Sequence, residues 1–148
     1  MPFLVHSADI KDVEALASLE AACFPDAWSA EAIASHMTSP GSLTVIAEEI
    51  GGGAIGYVFG RWAADEGELY RVAVLPEHRL VGVGWNLVDS FLFKLKIEGV
   101  RSCYLEVRES NLGARILYEN HGFTICGKRK NYYKNPTEDA LLMALHSL

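Results

Sequence analysis

The chain has 148 residues, 50% hydrophobic and 22% charged, enough for one core, so a single domain over residues 1–148 is expected. That balance excludes a disordered chain, and no apolar run approaches the ~20 residues that cross a bilayer. A formal net charge of −6 argues against a nucleic-acid partner and for a cationic or amine-bearing one.

In chain order, the first helix is expected to begin near Asp9. It carries Val13, Leu16, Ala17 and Glu20 at helical spacing, with the three apolar residues turned inward, and Pro25 ends it. Ser29 suits the N-cap of a short second helix, with Glu31 in its first turn. "SLTVIAEE" and "AIGYVFGRW" follow as strands around a "GGG" hairpin turn, and "ELYRVAVL" is a third strand. A polar loop, "PEHRLV", then leads into Gly82-Val83-Gly84 and a helix burying Leu87, Val88, Phe91, Leu92 and Leu95, which ends at Glu98-Gly99. "SCYLEV" alternates Cys103, Leu105 and Val107 against Tyr104, Glu106 and Arg108, as a strand does. A helix from about Asn111 to His121 closes at Gly122, with Phe123 as the hydrophobic contact beyond it. The tail "NYYKNPTEDALLMAL" suggests strand, turn, strand. The fold class is therefore α/β, an α+β arrangement with a central mixed sheet flanked by about four helices.

Three cysteines, Cys23, Cys103 and Cys126, form no C-x-x-C pair and are expected to be free buried thiols. The five histidines are scattered, no two of them four apart around a carboxylate, so no metal is expected. "MPFLVHSAD" lacks the layout of a secretion signal, which makes a cytoplasmic location the expectation. "KRK" at Lys128 to Lys130 is expected to be a solvated strand face.

Two glycines one residue apart at a helix start need a reason. A helix N-terminus offers unpaired N–H groups and partial positive charge, and glycines there let an anion come close, so a phosphate-bearing ligand is the default. A P-loop would need Lys and Ser/Thr where Trp85 and Asn86 stand. A Rossmann fingerprint would need a third glycine where Leu87 stands, and a tight turn in place of the loop Pro76 to Val81, although Glu106 falls near the position of a ribose-binding carboxylate.

The remaining pattern is R-x-x-G-x-G, here Arg79-Leu80-Val81-Gly82-Val83-Gly84 after a strand ending in "VAVLP". It resembles the acyl-CoA pyrophosphate loop of the GNAT superfamily of N-acetyltransferases. "LEVRESNLGARILYENHGF" (Leu105 to Phe123) resembles the signature of the RimI-type N-terminal acetyltransferases, which modify the N-terminal alanine of a small-subunit ribosomal protein. "FPDAWS", "RKNYYKN" and "EDALLMAL" match further RimI-like elements in order, so the resemblance runs from Asp9 to Leu145. Leu80, Val81 and Trp85 depart from the polar or basic residues frequent at these loop positions in the family.

The resemblance implies acetyl-CoA as co-substrate and a protein N-terminus as acceptor; no metal, nucleic acid or membrane is expected beside them, and the chain is expected to act as a monomer or weak dimer. The resemblance also implies Glu106 as the base, acting through water, and Tyr118 as the acid that protonates the departing thiolate. On pattern alone, the commoner outcome for Glu106 is a strand-face carboxylate paired with Arg108, and for Tyr118 a core tyrosine sharing a helix face with Ala114 and Leu117. Arg79, Leu80, Val81, Gly82, Val83, Gly84 and Trp85 would hold the pyrophosphate. Asn111 would cap its helix and touch the CoA arm. Val72, Ala73 and Val74 would present strand backbone to the pantetheine, an N–H near Val74 polarising the thioester carbonyl. The "DAW" segment, Tyr132 and Tyr133 would border the acceptor. A lysine or small-amine acetyltransferase, and a non-catalytic acyl-CoA-binding module, stay open as alternatives.

Overall fold

The computed structural model describes residues 2–79 and 82–148. The described strands are β1 (Phe3–Ser7), β2 (Ser42–Glu49), β3 (Ala54–Ala63), β4 (Glu66–Val74), β5 (Ser102–Arg108), β6 (Thr124–Tyr133) and β7 (Glu138–Leu145). The helices are α1 (Val13–Cys23), α2 (Ala30–Met37), α3 (Val83–Ile97) and α4 (Leu112–Asn120). All strands join one sheet in the order β1-β2-β3-β4-β5-β7-β6. Every neighbouring pair is antiparallel except β4 and β5, which run parallel and need the crossover that α3 supplies.

Strand alternation divides the interior between the two faces of the sheet. On one face, Val45, Val58, Leu69, Leu105 and Met143 pack against Leu87, Val88, Phe91 and Leu95 of α3. On the other, Ile46, Tyr57, Phe59 and Ala73 pack against Leu16 and Leu19 of α1 and Ile33 of α2. Among the described residues no helix is long and apolar enough to cross a membrane.

Local signals placed most ends where they fall. Ser29 Oγ accepts the Ala32 N–H at 3.1 Å as the α2 cap. The hairpin at Gly51 to Gly53 closes through Glu49 N–H to the Gly53 carbonyl at 3.0 Å. Gly122 (φ +97°) ends α4, with its N–H bonded to the Glu119 carbonyl and that of Phe123 to the Tyr118 carbonyl.

Four expectations need correction. The chain opens on a strand, not a helix: β1 pairs with β2 across a long sequence separation, and its half-exposed pattern carries no strong periodicity. The first helix forms later than Asp9, which instead caps a short 3-10 turn before α1, and Glu20 on α1 is completely buried. β6 starts at Thr124, ahead of the "NYY" stretch. Only Cys103 is a fully buried thiol; Cys23 is half-buried. Cys126 is exposed because β6 is an edge strand whose register shifts between Ile125 and Gly127.

Candidate active site

The parallel ladder is short. β4 and β5 pair from Glu66↔Ser102 to Leu69↔Leu105 and no further, although β4 continues to Val74 and β5 to Arg108. Beyond that rung two strand edges face each other unpaired. A register shift in the β3–β4 ladder between Phe59 and Gly60 bends β4 where the gap begins. A cavity of about 610 Å³ fills the gap, and Glu106, Tyr118, Asn111 and Val72 all line it.

The open edge of β4 carries unpaired backbone groups. Leu75 N–H bonds to the Ile55 carbonyl on β3 at 2.9 Å, so by antiparallel alternation Val74 and Val72 turn their N–H groups toward the gap. Ala73 is the exception among the three expected residues: alternation points its backbone at β3, and its side chain packs in the α1–α2 core. The Val74 carbonyl, on the same open edge, accepts Arg79 Nε at 2.8 Å.

α3 begins beside the end of β4, and Arg79, Gly82, Val83, Gly84 and Trp85 are not among the residues lining the cavity. Gly82 is its N-cap at φ +85°, a left-handed conformation that L side chains rarely adopt, and no side chain caps the helix. The first bond of the helix is Asn86 N–H to the Gly82 carbonyl at 3.0 Å, so the Val83, Gly84 and Trp85 N–H groups precede it. A Cβ built on Gly84 would lie 3.5 Å from Leu117 Cδ2 and 3.8 Å from Val74 Cγ2, which places this turn between the end of β4 and α4. Val83 sends its own side chain into the core. The Trp85 ring is half-exposed, its centroid 4.7 Å from that of His121. Leu80 and Val81 lie outside the described residues. The turn has the shape an anionic pyrophosphate requires: backbone donors, a positive helix end, and no Cβ in the way.

Glu106 has a side chain 25% exposed, and its Oε2 lies 3.6 Å from Arg129 Nε. That oxygen is buried and has no hydrogen bond. The alternative in which Glu106 pairs with Arg108 does not form. Arg108 instead binds Glu138 at 3.2 Å and the carbonyls of Pro136 and Lys134 at 3.1 and 3.0 Å, which fixes the β6–β7 hairpin. Tyr118 is 5% exposed on α4; burial above all, with the neighbouring Tyr133 and Cys103, pushes its phenol up from the ordinary value. Asn111 caps α4, its Oδ1 accepting the Ala114 N–H at 3.2 Å.

The outer wall comes from two segments. Phe24, Pro25, Asp26 and Trp28 form one side, and Tyr132, Tyr133, Lys134 and Asn135 of the hairpin form the other. Burial, then the charge of Glu106, pushes Tyr133 up to about 12. Sequence reasoning missed Arg71, Glu68 and Tyr70 in the lining, Arg129 beside the carboxylate, and Glu20 behind the wall. The available signal was an arginine inside the apolar strand "LYRVAVL" and a glutamate on the inward stripe of the first helix.

The family model described as Acetyltransferase (GNAT) family matches residues 13–123, spanning the first helix, the glycine turn and α4. The chain belongs to the acetyltransferase (GNAT) family. The GNAT chain is 42% identical over 95 residues to the [ribosomal protein bS18]-alanine N-acetyltransferase of Haemophilus influenzae, covering 62% of this chain and 64% of the relative. The counterpart from Escherichia coli strain K12 is 41% identical over 83 residues, 55% of this chain and 56% of the relative. The match thus spans less than two thirds of the length of either curated relative. In three dimensions the GNAT fold superposes on the crystal structure of the ribosomal-protein-S18-alanine N-acetyltransferase from Escherichia coli. The TM-score is 0.90 at 30% identity, over 99% of this chain and 96% of that one. Among the described residues, no group of three or more His, Cys, Asp or Glu side chains stands where it could hold a metal ion.

Proposed function

We propose that this chain is an acetyl-CoA-dependent N-acetyltransferase of the cytoplasm acting on the α-amino group of a protein, with the N-terminal alanine of a small-subunit ribosomal protein as its acceptor. The observation that carries this is the meeting, in one cavity, of a carboxylate with a buried unsatisfied oxygen, a buried tyrosine and an unpaired strand edge. The resemblance to the bS18-alanine acetyltransferases supports the choice of acceptor.

Acetyl-CoA supplies a thioester carbonyl when bound; its pyrophosphate suits the Gly82–Gly84 turn, with Val83, Gly84 and Trp85 N–H groups as donors and Arg79 alongside. Leu80 and Val81 complete the R-x-x-G-x-G motif in the sequence. An α-amine has a pKa of ~7.7–8, so freeing it near neutrality costs ~1 kcal/mol, against ~4 kcal/mol for a lysine. Glu106 takes that proton, through water, and Arg129 keeps the carboxylate turned to the cavity. The Val74 N–H, on the open edge beside Val72, faces the oxygen on which negative charge develops. Ala73 holds this edge in register by pairing with β3, and Asn111 orients α4 beside it. Tyr118 donates its hydroxyl proton toward the departing sulfur. Because burial raises the phenol, Tyr118 acts more as a hydrogen-bond donor than by full proton transfer.

Intact-mass analysis of peptides incubated with acetyl-CoA and the chain tests this. A gain of one acetyl on an Ala-initiated ribosomal-protein peptide is expected, with none on an N-terminally blocked copy containing lysine. Modification of the blocked copy alone would move the assignment to a lysine acetyltransferase.

A further inference from the structure

Glu20 is 0% exposed near the end of α1 and has no role in the chemistry above. A buried carboxylate is expensive unless it is paired, and this one is held by three separate elements. Its Oε1 accepts the Trp28 N–H at 2.7 Å and Arg71 at 3.1 Å, and its Oε2 accepts the Tyr57 hydroxyl. Trp28 belongs to the connection between α1 and α2, Arg71 to β4 where it bends, and Tyr57 to β3. Arg71 reaches on to Asp26 at 3.5 Å, and its guanidinium lies 4.1 Å over the Phe24 ring. Phe24, Asp26, Trp28 and Arg71 all line the cavity; Glu20 stands behind them.

We infer that Glu20 is a positioning residue for the amine acceptor. From inside the core it fixes the Phe24–Trp28 wall and Arg71, and it neutralises an arginine that would otherwise repel an incoming ammonium. This rests on the acetyl-transfer reading. The network engages the acceptor wall and touches neither the Gly82–Gly84 turn nor Asn111. Loss of Glu20 should therefore separate the two substrates kinetically.

The test measures KM for an Ala-initiated acceptor peptide and for acetyl-CoA, together with hydrogen exchange of the Trp28 amide. E20Q keeps a carbonyl oxygen for Trp28 but removes the charge. Acceptor KM is expected to rise about tenfold or more, the worth of a charge-assisted hydrogen bond, with acetyl-CoA KM within about twofold. E20Q/R71M removes the uncompensated cation as well and should recover part of that loss, which a merely structural defect would not do. E20D keeps the charge but shortens the reach; faster Trp28 exchange and a smaller rise in acceptor KM are expected, and it decides the matter if E20Q does not fold. Parallel rises in both KM values, an unmoved acceptor KM, or Trp28 exchange unchanged in E20D overturn the inference. A wild-type chain that acetylates no amine overturns the acetyl-transfer reading instead, and Trp28 exchange then decides on Glu20 alone.

Discussion

Leu69 and Leu105 face each other as the last rung of the parallel β4–β5 ladder, and the lining residues Arg71, Val72, Glu106 and Arg108 all lie beyond it. Had pairing continued, strand hydrogen bonds would occupy the backbone groups of Val72 and Val74, and no gap would exist for a substrate to enter.

Glu106→Gln keeps the size of the side chain and removes its basicity. A fall in kcat of about 10²–10⁴-fold is expected, with acetyl-CoA affinity unchanged by calorimetry. Wild-type kcat in this variant would remove Glu106 from the role of base.

Tyr118→Phe deletes one hydroxyl from a packed helix face. About a tenfold loss of kcat is expected, in line with a single hydrogen bond to developing charge. Since burial holds the phenol above its ordinary ~10, the wild-type pH–rate profile should show no loss from Tyr118 ionisation between pH 7 and 10. An alkaline limb below pH 9 that disappears in the variant contradicts this.

Gly84→Ala separates binding from folding. The new methyl meets Leu117 Cδ2 at 3.5 Å and Val74 Cγ2 at 3.8 Å, ordinary contacts, and alanine favours the helix by up to ~1 kcal/mol. The melting temperature should hold or rise while the Kd for acetyl-CoA weakens by about tenfold or more, because the methyl stands in the path to the backbone donors. Undiminished affinity would mean that no pyrophosphate lies there.

Cys103 predicts alkaline sensitivity. Burial pushes its thiol from 9.0 up to about 12. Unfolded chains release this proton first, so they bind fewer protons than the native state and stability falls as pH rises from about 9 to about 12. Unfolding free energies from urea titrations at pH 8 and 10.5 should differ by on the order of 2 kcal/mol for this group, and Cys103→Ala should flatten the decline.

The capping of α2 and α4, the turn at Gly51 to Gly53, the alternation of β5 and the glycine start of α3 were all legible because each is a contest among neighbouring residues. Ser29, Gly122 and Gly82 settle their own backbone geometry within a few positions. What failed was non-local. β1 owes its existence to β2, and the exposure of Cys126 follows from the place of β6 at the sheet edge. Arg108 does not take up the alternative pair with Glu106 because the hairpin offers it a carboxylate and two carbonyls together. The Glu20–Arg71 contact joins residues 51 positions apart, beyond any periodicity.

Sequence by itself determined the family, the mixed sheet and the glycine turn, and it singled out Glu106, Tyr118 and Asn111 as candidates, since motif spacing and side-chain period are properties of short segments. Tertiary structure alone decided that β4 and β5 part after Leu69 and Leu105, that Val72 and Val74 turn their N–H groups to the gap while Ala73 does not, and that a buried glutamate stands behind the Phe24–Trp28 wall of the cavity. These depend on which strand edges meet and how far, which is set by packing two helical layers on one twisted sheet rather than by any local preference.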